Sequence, residues 1–238
     1  MRRYLTTAIA GLVLAVAALP AATLAGTPYQ AEATCPVDGK KFNWTSTASY
    51  STWGMELDGK PIGSWVFPMT IPQCPDSRFP VYREFAPSEI DAVKALAASP
   101  EYAAVKDETS YYLLNFVAGK LGDDMSDADH AWVLLKATWQ AREDAARYGR
   151  YATETIAAMN AALPAIRSED ADEWLALQVI IANVERQAGL FDAATARLDG
   201  LPAPSVEAAE HIAPRIELTR RLIEARETKA DSPPRDDD

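Results

Sequence analysis

Few residues in this chain have the types and spacing for chemistry. Cys35 and Cys74 are the only cysteines, and His130 and His211 the only histidines. Neither histidine has a cysteine beside it, a second histidine three or four positions away, or a glycine-rich nucleophile turn, so both read as surface or capping residues. Asp123, Asp124, Asp127 and Asp129 form an acidic loop without the ligand spacing of an EF-hand, which reads as a solvated loop. No phosphate-binding loop, dinucleotide fingerprint, Gly-x-Ser-x-Gly elbow or His-Glu-x-x-His pair occurs. Chemistry therefore narrows to the two cysteines. They either form a disulfide or, with Asp38 and one further group, hold a zinc ion. Ser77 is a poor donor for zinc, which prefers four sulfur or nitrogen ligands.

Compartment favours the disulfide. Met1-Arg2-Arg3 is a short positive start, and Leu5 to Leu19 then runs without a charge to Pro20. Small residues at Thr23 and Ala25 suit cleavage after Ala25, with a later site after Ala33 as the alternative. This is the three-part pattern of a secretory signal peptide, too short for a comfortable membrane span. The expectation is a signal peptide over 1–25, periplasmic localisation and no membrane span after cleavage. Two cysteines in an oxidising compartment pair by default. Closing the 39-residue separation is worth about 4 kcal/mol in the chain-entropy account.

Charge excludes another class. The chain carries 34 acidic and 23 basic side chains, a formal charge of −11. No Lys/Arg cluster offers phosphate contacts, so nucleic acid is not expected as a partner. A composition 48% hydrophobic and 24% charged is that of a folded protein with a real core.

The positioning elements change grammar along the chain. From Thr27 to Phe85, glycines and prolines alternate with aromatic and β-branched runs such as Phe42-Asn43-Trp44-Thr45, Trp65-Val66-Phe67 and Phe79-Pro80-Val81-Tyr82. Asp58-Gly59 is a hairpin-turn signal. The expectation for 27–85 is a small β module stapled by Cys35 and Cys74, since so small a unit needs a staple or a neighbour. From Pro87 onward the chain is Ala-rich and helical. Ser99 and Ser126 are natural N-caps, the latter with Asp129 three residues on. Ala128, Trp132, Leu135 and Trp139 share one helix face. Gly149 is read as a turn or kink, and Pro164 as the end of the helix from Tyr151. Trp174, Leu177, Ile181 and Val184 form a stripe ending near Gly189, and Ser205 opens a last helix. The boundaries are thus a helical domain over 86–228 and a disordered acidic tail over 229–238. The fold class is α+β, mostly α.

The turn Gly189-Leu190-Phe191 with Ala194 resembles that of a tetratricopeptide repeat, where a glycine ends one helix and an aromatic and a small residue dock the next. Cys35-Pro36-Val37-Asp38-Gly39 and Cys74-Pro75-Asp76-Ser77 both have the outline of a zinc-ribbon knuckle, with Asp38 and Ser77 in place of the second cysteine. With Leu57-Asp58-Gly59-Lys60, Phe85-Ala86-Pro87-Ser88, Ser99-Pro100-Glu101-Tyr102 and Ser110-Tyr111-Tyr112, the series over Cys35 to Leu201 resembles the bacterial family called domain of unknown function 2225. That resemblance implies two knuckles followed by helices similar to tetratricopeptide repeats, and no particular activity. Two of the four thiolates it implies are missing here, so its metal site is in doubt.

The functional expectation is an exported, non-catalytic interaction or scaffold protein without a cofactor. It would bind a protein or peptide through a helical groove, with a basic segment favoured by the net charge. Trp44, Trp53 and Trp65 crowd the small β module and are candidates for an exposed binding surface. Trp132, Trp139 and Trp174 are expected in the core. The alternative is a metal-binding accessory protein or enzyme using the Cys35/Cys74 end.

Overall fold

A computed structural model describes residues 26–233 of the chain. The expected signal peptide over 1–25 and the last five residues of the tail lie outside the described residues.

β1 (Pro28–Thr34) and β2 (Lys41–Thr47) form an antiparallel hairpin, paired from Pro28 opposite Thr47 to Thr34 opposite Lys41. Alternation places Ala31 opposite Trp44 and Ala33 opposite Phe42 on its inner face. β3 (Thr52–Met55) and β4 (Pro61–Gly63) form a second short hairpin. Its tip, Glu56 to Lys60, is closed by the expected Asp-Gly turn: Gly59 has a φ of 86°, and the Glu56 N–H donates to the Lys60 carbonyl at 2.8 Å. The runs around Trp65 and Val81 do not become strands. Pro68, Pro72, Pro75 and Pro80 remove the N–H donors a ladder needs, and one isolated bridge, Gln73 to Pro80, is all that forms there.

After a 3₁₀ turn at Pro87–Glu89 come α1 (Ile90–Ala97), α2 (Pro100–Val105), α3 (Ser110–Leu121), α4 (Asp127–Gln140), α5 (Ala145–Glu169), α6 (Ala171–Gln187), α7 (Phe191–Asp199) and α8 (Val206–Glu224). Ser99 Oγ accepts the Tyr102 N–H, and Ser126 and Asp129 make a reciprocal capping box. Gly122 ends α3 in the left-handed region, φ 71°. Neither expected break interrupts α5, which runs for 25 residues through both Gly149 and Pro164. Pro164 cannot bond the Asn160 carbonyl, but both residues are exposed, so water can take that carbonyl and the helix continues. From α3 onward each helix packs on its neighbour in sequence, and α6 also packs on α8.

Two cores result. One joins Cys35, Cys74 and Phe79 to Val93, Tyr102, Leu113 and Val117, so α1–α3 share a core with the β1–β2 region across the expected boundary at 85/86. The other runs through α3 to α8 around Leu135, Tyr151, Ile181 and Leu198. Trp139 and Trp174 are buried in it and Trp132 packs partly against it. Residues 229–233, expected to be disordered, lie against the body: the Leu57 N–H donates to the Asp231 carbonyl at 2.8 Å, and Arg186 donates to the Lys229 carbonyl at 2.9 Å. Backbone carbonyls hold this segment, and its acidic composition carries no trace of them.

Candidate functional site

Cys35 and Cys74 are joined by a disulfide, with S–S 2.09 Å and Cα–Cα 5.2 Å, and both are buried. The two turns it links are built alike. In each, the cysteine N–H donates to the carbonyl five residues on, at 2.9 Å to Lys40 and to Phe79. The fifth residue of each turn, Gly39 or Arg78, takes a positive φ, 74° and 57°. Asp38 Oδ1 accepts the Lys40 N–H at 3.0 Å and Ser77 Oγ accepts the Phe79 N–H at 3.4 Å. Asp38 and Ser77 thus close their own turns, and Asp38 also pairs with the Lys40 ammonium at 3.3 Å. Among the described residues no three metal-ligating side chains converge. His130 Nδ1 lies 2.8 Å from Asn115 Oδ1, and His211 is exposed. In the acidic loop, Asp123 is bound by Arg83 at 2.6 Å and by the Tyr82 hydroxyl at 2.5 Å. Burial raises the Asp123 pKa, but these two partners outweigh it and hold the carboxyl below its ordinary value.

The densest polar constellation lies where the tip of the β3–β4 hairpin enters the helical array. Leu57 and Asp58 are fully buried there. Arg142, just after α4, reaches Glu56 with one guanidinium nitrogen and Asp58 with the other. Gln187, the last residue of α6, donates its amide to Asp58 Oδ2 at 3.1 Å, and the Tyr148 hydroxyl donates to Gln187 Oε1 at 3.4 Å. Arg215 of α8 donates to the Leu57 carbonyl at 3.1 Å and the Glu56 carbonyl at 3.3 Å. Arg186, itself fully buried, donates to Asn183 and to the carbonyls of Glu227 and Lys229. Beside Gly59, whose Cα faces Ile180, an added Cβ would come within 3.1 Å of that side chain, so the tip is seated closely.

Charge and burial compete at this junction. Burial works against the Arg142 charge, yet Asp58 and then Glu56 outweigh it and raise its pKa. For Arg186 and Arg215 burial wins and the pKa falls, with Asp58 opposing in both. Burial pushes the Tyr148 phenol up, and the Asp58 charge adds to that. The Nε of Arg142 and the Nη2 of Arg186 are buried without a hydrogen-bond partner. Glu227 and Asp231 also oppose the desolvation of Arg186, so three guanidinium groups meet four side-chain carboxylates and the junction keeps surplus donors without surplus positive charge.

Against this junction opens a cavity of about 530 Å³. One wall is Arg142, Glu143, Ala145, Tyr148 and Gly149, where α5 begins. A second is Gln187, Ala188 and Gly189, where α6 turns into α7, and a third is Thr228, Lys229 and Ala230. Of the anticipated repeat-turn residues, Gly189 (φ 78°) lines the cavity, while Phe191 and Ala194 are buried in the core behind it. The cavity wall mixes charges: Arg142 is paired with Glu56 and Asp58, Glu143 stands beside it, and Glu227 accepts the Lys229 N–H at 2.9 Å.

The three tryptophans of the N-terminal region differ in exposure and setting. Trp44, with Tyr82, Phe85 and Pro72, lines a separate cleft of about 650 Å³ between the β1–β2 hairpin and α1. Trp53 is 47% exposed on β3, and Trp65 is half-buried. The arginine junction went unseen in the sequence because its members come from separate helices and the hairpin, with only the Asp58-Gly59 turn visible locally.

Comparison of the chain with family models, curated proteins and solved structures gives no match. The likeness to the domain of unknown function 2225 thus stands on the quoted motifs alone.

Proposed function

We propose that this is an exported, non-catalytic interaction protein that binds a segment of a partner protein at the α5/α6–α7 end of its helical array. The observation that carries this reading is the open cavity lined by Gly149, Gly189 and Lys229 beside a junction where the same helices already grip a chain segment, Glu56 to Gly59. That grip uses backbone carbonyls, a carboxylate and a close backbone approach, which are the means by which a peptide is held. Export is supported by the charge-free stretch after Arg3 and by a buried disulfide, a bond that persists in oxidising compartments. Among the described residues no helix is long and apolar enough to cross a membrane. The alternative use of Cys35 and Cys74 in metal or redox chemistry has less support, because both sulfurs are bonded to each other and buried.

The test is site-specific photocrosslinking in the exported protein. A photoreactive residue at Glu143 or Thr228, on the cavity rim, should give a discrete protein adduct, and one at Gln30 on β1 should not. Gly149→Trp, which fills the cavity from a position where an added Cβ meets nothing within 4 Å, should abolish the adduct. Adducts of equal yield from all three positions, or none from the rim, would contradict the reading.

A further inference from the structure

We propose that residues 227–231 form a strap across the α5/α6–α7 cavity, hinged at Arg226, which lets go of Arg186 and Leu57 while the helices stay folded and closes over a bound partner segment. The proposal rests on the interaction reading above and adds how that site opens and shuts.

Four features point to such a strap. The first is how the segment is held. It meets α6 and the hairpin tip through its backbone carbonyls: those of Glu227 and Lys229 accept from Arg186 Nη1, and that of Asp231 accepts the Leu57 N–H at 2.8 Å. One nitrogen takes two carbonyls, so the chain curves around the guanidinium. Thr228, Lys229, Ala230 and Asp231 are all exposed, so little apolar burial backs these bonds. A segment with few buried contacts opens at lower free energy than the core it lies on.

The second is the hinge. α8 ends at Glu224, and the chain leaves it through Arg226, whose φ of 51° lies in the left-handed region that a Cβ disfavours. The Glu227 N–H holds that turn by donating to the Leu222 carbonyl at 2.9 Å. A change of φ and ψ at this residue swings the strap and leaves α8 as it is.

The third is the cost of the closed seat. Arg186 is fully buried, and its Nη2 has no hydrogen-bond partner. Burial lowers its pKa although Glu227 and Asp231 oppose that. A buried donor without an acceptor is unfavourable, and water reaching Arg186 when the strap lifts relieves it. The closed and open forms are thereby brought nearer in free energy.

The fourth is position. Thr228, Lys229 and Ala230 make one wall of the cavity of about 530 Å³, facing walls built where α5 begins and where α6 turns into α7. A partner segment lying in the cavity touches this third wall only while the strap is closed. Contacts made in one state alone draw the equilibrium toward it, so an occupied cavity holds its strap shut.

The experiment is native-state hydrogen exchange of the mature protein with its disulfide and C-terminal segment intact. Leu57 is fully buried and its N–H is bonded to the Asp231 carbonyl, so exchange of that amide follows release of the strap. In the free protein it should exchange at least about 100-fold faster than the buried Ile181 and Val184 amides of α6, at a rate that low urea leaves unchanged. Glu227→Pro removes the bond to Leu222 and pushes Arg226 toward extended backbone. It should speed Leu57 exchange by a further factor of about five to ten, the worth of one hydrogen bond, while unchanged Ile181 and Val184 show the helices intact. The ligand probe is the covalent adduct formed through a photoreactive residue at Glu143. In that adduct Leu57 should exchange at least about ten-fold more slowly than in the free protein, and Glu227→Pro should lower the adduct's yield. Leu57 exchange in step with Ile181 and Val184 overturns the proposal, because the segment is then a fixed wall. So does faster Leu57 exchange in the adduct, which would mean that a partner expels the strap. The two readings fail separately. A discrete adduct from Glu143, with Leu57 exchanging only on global unfolding, refutes the strap and leaves the interaction function standing. Local release of Leu57 with no adduct from either rim position refutes the interaction function and leaves the hinged strap standing.

Discussion

Asp58→Asn removes one charge and leaves shape nearly unchanged at the junction that seats the β3–β4 hairpin in the helical array. Asp58 is fully buried and bonded to Arg142 and Gln187. Asparagine can still accept from Gln187, but Arg142 is left with Glu56 alone, Arg215 loses the carboxylate that opposes its desolvation, and Arg186 keeps only Glu227 and Asp231. Removing one partner of a buried ion pair costs about 3–5 kcal/mol, because an uncompensated charge stays behind. For a protein of this size each kcal/mol moves the melting temperature by roughly 2–4 °C, so the expected fall is about 6–20 °C. Thermal unfolding followed by tryptophan fluorescence and circular dichroism measures it. Glu56→Gln is the comparison: its side chain is partly exposed, and a loss of about 1–3 kcal/mol is expected. Pairing Asp58→Asn with Arg142→Gln should recover part of the loss, since the stranded charge is then gone. Melting of Asp58→Asn within about 2 °C of wild type would refute the reasoning.

Gly149→Ala should stabilise the protein by about 0.5–1 kcal/mol, read as a higher urea midpoint at unchanged slope, because the added methyl meets open space. Reducing the Cys35–Cys74 disulfide, or replacing both cysteines with alanine, should cost about 2–5 kcal/mol. The loss should appear first as exchange at the amides around Val93, Tyr102 and Leu113, which share that core. Acid should destabilise through Glu108 and Asp123. Burial raises the Glu108 pKa, but bonds from Tyr151 and Arg150 outweigh it and hold the carboxyl below its ordinary value, as Arg83 does for Asp123. A carboxylate with a depressed folded pKa contributes stability above its unfolded value and loses it as pH falls through the folded one. The melting temperature should therefore drop once pH falls below about 4, and Glu108→Gln should flatten that drop.

Much of the architecture was legible because its causes are local. Ser99 and Ser126 cap the helices their sequence marks, Gly122 ends α3, and the stripe through Leu135 and Trp139 faces the core. The disulfide was legible too, from cysteine number and export pattern. Where non-local packing decides, the sequence was silent or misleading. Gly149 and Pro164 look like breaks in isolation, yet α5 continues because its contacts with α4 and α6 outweigh two unfavourable residues. Lys229 to Pro233 looks like free tail, but Arg186 and Leu57 claim its carbonyls. The charge pairing at the junction was invisible because net charge is a property of the whole chain. Arg142 stands 84 residues from the Asp58 it pairs with, and no periodicity links them.

Hydrogen exchange of the mature protein, with and without the partner captured by crosslinking at the rim, tests most directly that the α5/α6–α7 cavity is the binding site. Slowed exchange is predicted in three stretches that are far apart in sequence and meet only at the cavity: 142–149, 187–190 and 228–231. Exchange unchanged in all three under saturating partner, or slowed instead along β1 and β2 beside Trp44, would contradict the account.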